Sequence, residues 1–500
     1  MKRKALIILA AILSIAFTLT ACATPTATTA PSATAVPTAG PAFTEGKLIY
    51  YVFGDEYADA ATVYAEVNKT VQEKLNTTIE FKTVSYDNYN VLMSSGESFD
   101  LIGVADWMGF WDFASKGAFA DLTDALITKN CPAIMAKYAT GLNVNKLGGK
   151  RFAIPNFGTN VNTNVWIARG DLMDKYALKS VSSLDEVEAY LTAVAANEKD
   201  IIPWAVNNMW SVPALFIATM GWQAPGPANC TSPVQIDILK GDYKGFDIMD
   251  RPETLAFAKR MKTWADKGFW SKSALSSPTG DEEAFKQGKS ALMGANLDTA
   301  NNIFTEFSKD ERKAWDIRIF NMYPTFTAPV STNGSGIAVS SGSKEIDRAL
   351  AVIDLLKTDA TLNHLMMHGI ENVHYKVLAD KSREILDGTG YNWTGNGLDN
   401  ADLYLTVGGG FPTSAAMLAT LKANLKPNKL VDFSIDTKPV EQQATALSDA
   451  YSQYAGPLFL GLVDDVDAAF NEYKQKKIDA GQAAFAVEVQ KQIDAFVAAR

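Results

Sequence analysis

Between residues 47 and 105 the apolar pattern switches repeatedly between strand and helix periods. LIYYVF (48–53) is a short apolar run that reads as a buried strand, 59–75 reads as an amphipathic helix, TIEFKTV (78–84) alternates as a second strand, 86–94 reads as helix, and FDLIGVA (99–105) is a third apolar run. Strands alternating with helices of this length predict a β-α-β-α-β unit and an α/β fold built on parallel pairing, because parallel neighbours need a crossover long enough to hold a helix. The 500 residues are 47% hydrophobic and 20% charged, which is enough to bury a large core and offset the entropy of ordering. That length suits roughly three folding units, or two large lobes plus extensions.

Further along, Ser183 and Glu186 have capping-box spacing ahead of a helix to Asn197, and Pro252 opens a helix running to Lys267. Residues 316–320 and 336–340 read as strands, 344–358 as a helix, and the last 60 residues as predominantly helical. There Phe485, Val489, Ile493 and Phe496 form a core-facing stripe. A net charge of −10 lacks the basic footprint that nucleic acid demands, so nucleic acid is not expected as a partner. Three cysteines, with no CxxC or Cys/His spacing, supply neither a disulfide framework nor a zinc site.

The first 46 residues carry an address. Lys2, Arg3 and Lys4 precede the uncharged stretch 5–19, and Leu19-Thr20-Ala21-Cys22 follows. Fifteen helical residues cover ~22 Å, short of a ~30 Å hydrocarbon core, so the segment reads as an export signal (1–21) and not a span. Leu19 to Cys22 resembles the bacterial lipobox, which implies that Cys22 is acylated and becomes the first mature residue, holding the chain on membrane lipid. An ordinary secretory peptide ending in cysteine is the alternative. Removal of the three basic residues takes the charge from −10 to −13. Residues 23–46, of which 19 of 24 are Ala, Thr, Pro or Ser, read as a tether that cannot pack.

KLIYYVFGDEY (47–57), SYDNYNVLMSSGESFDLIGVADW (85–107), KGAFADL (116–122), GGKRFAIPN (148–156), GDEEAFKQGKSALMGA (280–295) and GSGIAVSSGSKEIDRALAVIDLL (334–356) together resemble the extracellular solute-binding proteins of ABC importers, in their maltose/oligosaccharide-binding class. GIENVHY (369–375) and the 481–496 end resemble a lipoprotein subgroup whose C-terminal region lacked an assigned function. Residues 223–250 and 376–435 depart from the pattern. The resemblance implies a two-lobed, periplasmic-binding-protein-like α/β fold with a ligand cleft and a helical C-terminal extension. Lobe 1 is expected over 47–160 with 295–325, and lobe 2 over 161–294 with 330–500. Crossings between them are expected near 156–164, 293–297 and 323–336, each marked by Gly, Pro or Asn. Closure would be a hinge motion.

A sugar offers an apolar C–H face and a ring of hydroxyls, so its site needs aromatic platforms with carboxylates or amides beside them. Asp106 and Trp107 follow the third strand at its carboxyl end, with Trp111 four residues on along a helix, either as ligand groups or as core. Asp55 and Glu56 lie in the loop after the first strand, where the resembled family places sugar contacts. Asn207, Asn208 and Trp210 follow IIPWAV, at the position of that class's second-lobe stacking aromatic, while Trp204 and Trp222 suit the core. Asn296 and Asp298 follow the strand at SALMGA. Trp393, in a Gly/Asn-rich loop, is either a ligand platform or a cap on the core.

His364 and His368 share a helix face, with Glu371 and His374 nearby, but Gly369 should end the helix and turn the latter two away. No metal or cofactor is therefore expected, and Glu371 and His374 read as cleft or supporting groups. Cys131 and Cys230 fall in different expected lobes, where a bridge would hinder closure, and read as thiols. The expected function is capture of an oligosaccharide by a monomer and its delivery to ABC permease subunits. A secreted glycoside hydrolase is the rival, but no barrel-like series of βα units and no GxSxG, HExxH or P-loop pattern supports it. A receptor for peptides, for alginate-like acidic sugars or for a metal on the same fold is the other alternative.

Overall fold

The computed structural model describes residues 43–499 except 55, 159–162, 208–211, 213–215, 218, 227–231, 278, 308, 323–332, 387–389, 392, 394–396, 409, 412 and 427. Its first elements are β1 (Gly46–Phe53), α1 (Ala60–Leu75), β2 (Thr77–Val84), α2 (Tyr86–Ser95) and β3 (Leu101–Val104). On α1, Val63, Val67, Val71 and Leu75 recur every fourth residue and all are buried, each contributing roughly 1.5–3 kcal/mol. The helix stops at Asn76, whose left-handed backbone returns its N–H to the Gln72 carbonyl. β1 pairs in parallel with β2 (Tyr50 opposite Phe81) and with β3 (Tyr50 opposite Leu101).

After β3 come a single turn, Asp106–Met108, and the short helix α3 (Phe110–Ser115). The helix expected to carry both Trp107 and Trp111 is broken at Gly109, where φ is 81°. Later β4 (Ala153–Pro155) forms the far edge of this sheet. The chain then crosses, 156–158 and Thr163 being the described part, and builds β5 (Asn164–Ala168), α4 (Leu184–Asn197), β6 (Ile202–Trp204), α5 (Pro252–Asp266), β7 (Ser290–Asn296), α6 (Leu297–Glu306) and β8 (Arg318–Asn321). The second sheet has the order β8-β5-β7-β6, with β5 antiparallel to both its neighbours and β7 parallel to β6. The capping box is complete, Ser183 Oγ accepting from the Glu186 N–H and the Glu186 carboxylate from the Ser183 N–H.

A second crossing, of which 333–335 are described, returns the chain to β9 (Gly336–Val339), which inserts between β3 and β4, antiparallel to both. The first sheet is therefore mixed, with the order β2-β1-β3-β9-β4. Helices α7 (Ile346–Thr358) and α8 (Ala360–His368) follow, and Val352 and Leu362 join Leu48, Val67 and Ile337 in one core.

These placements correct the expected lobe boundaries. The described residues of 295–322 belong to the second lobe, where Met293, Leu297 and Ile303 pack with Val165 and Ile167. Residues 293–297 are thus no crossing, and Asn296 there is the cap of α6. The described residues of 336–400 belong to the first lobe, Trp393 and Leu398 lying in its core. The third crossing comes after Asn400, which bridges to Phe157, because Phe411 and Leu421 already pack in the second lobe. At the junction the segments run side by side: the Asn156 N–H donates to Ser335 O, Phe157 N–H to Asp399 O, and Ala401 N–H to Phe157 O. Beneath them Lys357, fully buried, sets its ammonium against the Gly397 carbonyl, 3.3 Å from Asn156 Oδ1. Burial holds its pKa well below the ordinary lysine range, against the pull of Asp399.

The C-terminal part is helical, with α9 (Glu441–Ala450), α10 (Val466–Asp479) and α11 (Gln482–Ala498). Phe485, Val489 and Ile493 pack against Val234, Ile236, Leu430 and Phe433, with Phe496 partly buried beside them. Leu458, Phe459, Phe470 and Tyr473 join the second-lobe core around Phe257 and Trp264. Among the described residues no helix is long and apolar enough to cross a membrane.

Candidate functional site

The carboxyl ends of β1 and β3 carry an exposed aromatic surface. Trp107, 47% exposed, stacks on Tyr86 at 5.7 Å between centroids with 26° between planes, and meets Phe53 edge-on at 5.4 Å. Tyr86 is 60% exposed, since it opens α2 outside the face that buries Tyr89 and Leu92. Large aromatics left open to solvent at a strand end are the feature an apolar sugar face requires.

Polar groups stand next to this surface. Asp106 leaves β3 into the turn, and burial pushes its carboxyl up to about 6, against the Trp107 backbone N–H that favours its charged form. Trp111 packs on Phe110, and its buried indole N–H has no hydrogen-bond partner among the described residues. Both face Gly334 on the second crossing, where an added Cβ would lie 2.8 Å from Asp106 Cβ and 3.2 Å from Trp111 Nε1. The Gly109 break sends the two tryptophans to different tasks, Trp107 outward and Trp111 inward.

On the second lobe Asn207 is half-buried beside Gly280, and Asn296 ends β7 opposite Asn164, its side chain accepting the Thr299 N–H at 2.9 Å. Asp298 falls in the first turn of α6. Asp55, Asn208, Trp210, Cys22 and Cys230 lie outside the described residues. Asp281, which the motif reading passed over, sits by the Trp204 indole and Gly294 at the carboxyl ends of β6 and β7, and burial raises its pKa. Its signal in the sequence is an acid directly after Gly280 at a helix start.

Four expected groups lie elsewhere. His374 is 1% exposed inside the first lobe, where Nδ1 accepts the Ile370 N–H and Nε2 faces Asp59 at 3.1 Å. Trp393 is buried, its indole donating to Phe53 O at 2.7 Å, so of its two readings the structure takes the core cap. Glu371 is exposed with its backbone bridged to Tyr375, and Glu56 is exposed on a groove with Tyr64 and Phe81. His364 is engaged by Leu403 O, and burial lowers the pKa of His368 to about 2. Among the described residues no three His, Cys, Asp or Glu side chains are gathered for a metal ion. Cys131 is a buried thiol donating to Leu350 O.

Residues 39–361 match the family model of bacterial extracellular solute-binding proteins. The chain belongs to that family. Its members bind solutes and are not enzymes, and the two-lobed architecture above is theirs. Residues 429–498 of this solute-binding protein match a domain of unknown function, DUF3502. The chain is 24% identical over 461 residues to a carbohydrate ABC transporter substrate-binding protein of Streptococcus pneumoniae, covering 89% of this chain and 90% of that one. Its fold is similar to the N-glycan transport solute-binding protein NgtS of the same organism, solved with Man1GlcNAc (TM-score 0.72, 21% identity, 90% and 99% of the chains). It is also similar in fold to the alginate-binding protein AlgQ2 (TM-score 0.68, 16% identity, 90% and 98%).

Proposed function

We propose that this solute-binding protein is the lipid-anchored receptor of an ABC importer, acylated at Cys22, that captures a neutral oligosaccharide between its lobes as a monomer and hands it to permease subunits on closure. The single observation that carries the sugar assignment is the exposed Trp107–Tyr86–Phe53 surface with Asp106 and the Trp111 N–H beside it. One sugar face would stack on Trp107 while neighbouring hydroxyls meet an acceptor and a donor. Asn207 and Asn296 from the second lobe would complete the enclosure. Ligand that touches both lobes only in the closed form shifts the population toward closure, and the permease reads that shape. The carbohydrate-transport relative and the NgtS complexes with Man1GlcNAc and Man5GlcNAc support starting from mannose-containing glycans.

The test is tryptophan fluorescence of the mature chain titrated with Man5GlcNAc, maltooligosaccharides and fructooligosaccharides, with mass spectrometry of the recovered sugar. Saturable change with one class and intact sugar is expected. Cleaved sugar, or silence across the panel, would overturn the reading. Metabolic labelling with a palmitate analogue, lost in Cys22→Ala, checks the anchor.

A further inference from the structure

The region matching a domain of unknown function, 429–498, is built into the second lobe. The Trp270 indole donates to Leu460 O at 3.0 Å, and Lys477 pairs with Asp247, both nearly buried. Its leading edge reaches further. Asn333, 2% exposed on the second crossing, points its amide Nδ2 at Asp432 O (3.0 Å), Phe433 O (3.2 Å) and Ser434 Oγ (2.8 Å).

The other side of the same residue holds the first lobe. Asn333 Oδ1 accepts the Asn145 N–H at 2.8 Å, Asn145 Oδ1 accepts the Gly334 N–H at 2.6 Å, and Asn145 Nδ2 donates to Ser335 O at 3.0 Å. Asn145 is fully buried. Two buried side-chain amides whose oxygens and nitrogens are this fully engaged specify one geometry, because any displacement strands a polar group away from water. Gly334, the next residue, is the one that lies against Asp106 and Trp111.

We infer that the 429–498 region braces the hinge, and that Asn333 is the positioning residue through which it sets Gly334, and with it Asp106 and Trp111, for ligand. This gives the region of unknown function a task that its sequence does not announce, and it rests on the sugar reading of the Asp106–Trp111 pair.

The test uses the full mature chain. Asn333→Asp keeps the acceptor for the Asn145 N–H and replaces the donor toward 432–434 with an oxygen, so it severs only the C-terminal side. Ser434→Ala removes one acceptor. Hydrogen exchange in Asn333→Asp should quicken by about tenfold both in 430–437 and in 104–111, while α5 keeps its wild-type protection. Affinity for Man5GlcNAc should fall by about tenfold, and Ser434→Ala should move the same readouts less. Faster exchange in 430–437 alone, with 104–111 and affinity unchanged, would overturn the proposal. If Asn333→Asp does not fold, Ser434→Ala decides by the same two segments. A wild-type chain that binds no sugar would defeat the ligand assignment, while the exchange of 104–111 would still decide the brace.

Discussion

Trp107 and Trp393 show how one residue type takes opposite work at the same end of the first sheet. Trp107 has half its surface open and little to lose in the free protein, so Trp107→Ala should leave the melting temperature unchanged while lowering sugar affinity by about 10–100-fold. Trp393 fills the core and donates to Phe53 O, so Trp393→Ala should cost about 3–5 kcal/mol of stability. Paired melts and titrations separate the two. Asp106 makes a pH prediction. Burial lifts its folded carboxyl from the ordinary 3.8 to about 6, so between those values the folded state binds more protons than the unfolded one. Stability therefore falls as pH rises through the window, and the penalty is complete above it. Asp106→Asn should melt higher than wild type at pH 7.5, by roughly 1–3 kcal/mol, with the gap closing toward pH 4, while sugar affinity drops. Asp354, also raised to about 6, is present in both proteins and cancels in the difference.

At the scale of elements, the turn between β3 and α3 sets where Trp107 and Trp111 stand. Read locally, Trp107 and Trp111 stand four residues apart and would share a helix face. Gly109 at φ 81° ends that helix before it begins, a conformation that a Cβ penalises. Gly109→Ala should cost about 1–2 kcal/mol, and since it also presses the Phe113 ring at 3.3 Å it should weaken binding by shifting Trp107. Calorimetric unfolding with and without sugar would show both. The α4 capping box, by contrast, is legible in full from Ser183 and Glu186, because both partners lie within one turn.

At the scale of the molecule, the C-terminal region is inseparable from the second lobe. Deleting 429–500 would expose the apolar surfaces that now bury Val234, Ile236, Phe257 and Trp264, so the truncated chain should be insoluble or lack a cooperative melt. A soluble, cooperatively melting product would show the second lobe to be self-sufficient. Small-angle scattering of the full chain should show the radius of gyration shrinking on sugar binding, as closure about the three crossings requires.

What the sequence determined by itself was whatever depends on near neighbours. The β-α-β-α-β opening, the caps, the stripe on α11 and the placing of Asp106 and Trp107 at a strand end all follow from residues within a few turns of one another, whereas the exposure of Trp107 does not. The resemblance to solute-binding proteins added the two-lobed plan. Only the tertiary structure decided which segment joins which lobe, because β9 enters the first sheet between β3 and β4, more than 170 residues after them in the chain, and no local period records the sheet a strand will join. For the same reason Asn145 and Asn333 look like ordinary turn residues in the sequence. Their meaning comes from burial, which removes the water that would otherwise satisfy their amides and leaves the crossing, the first lobe and the C-terminal region as their partners.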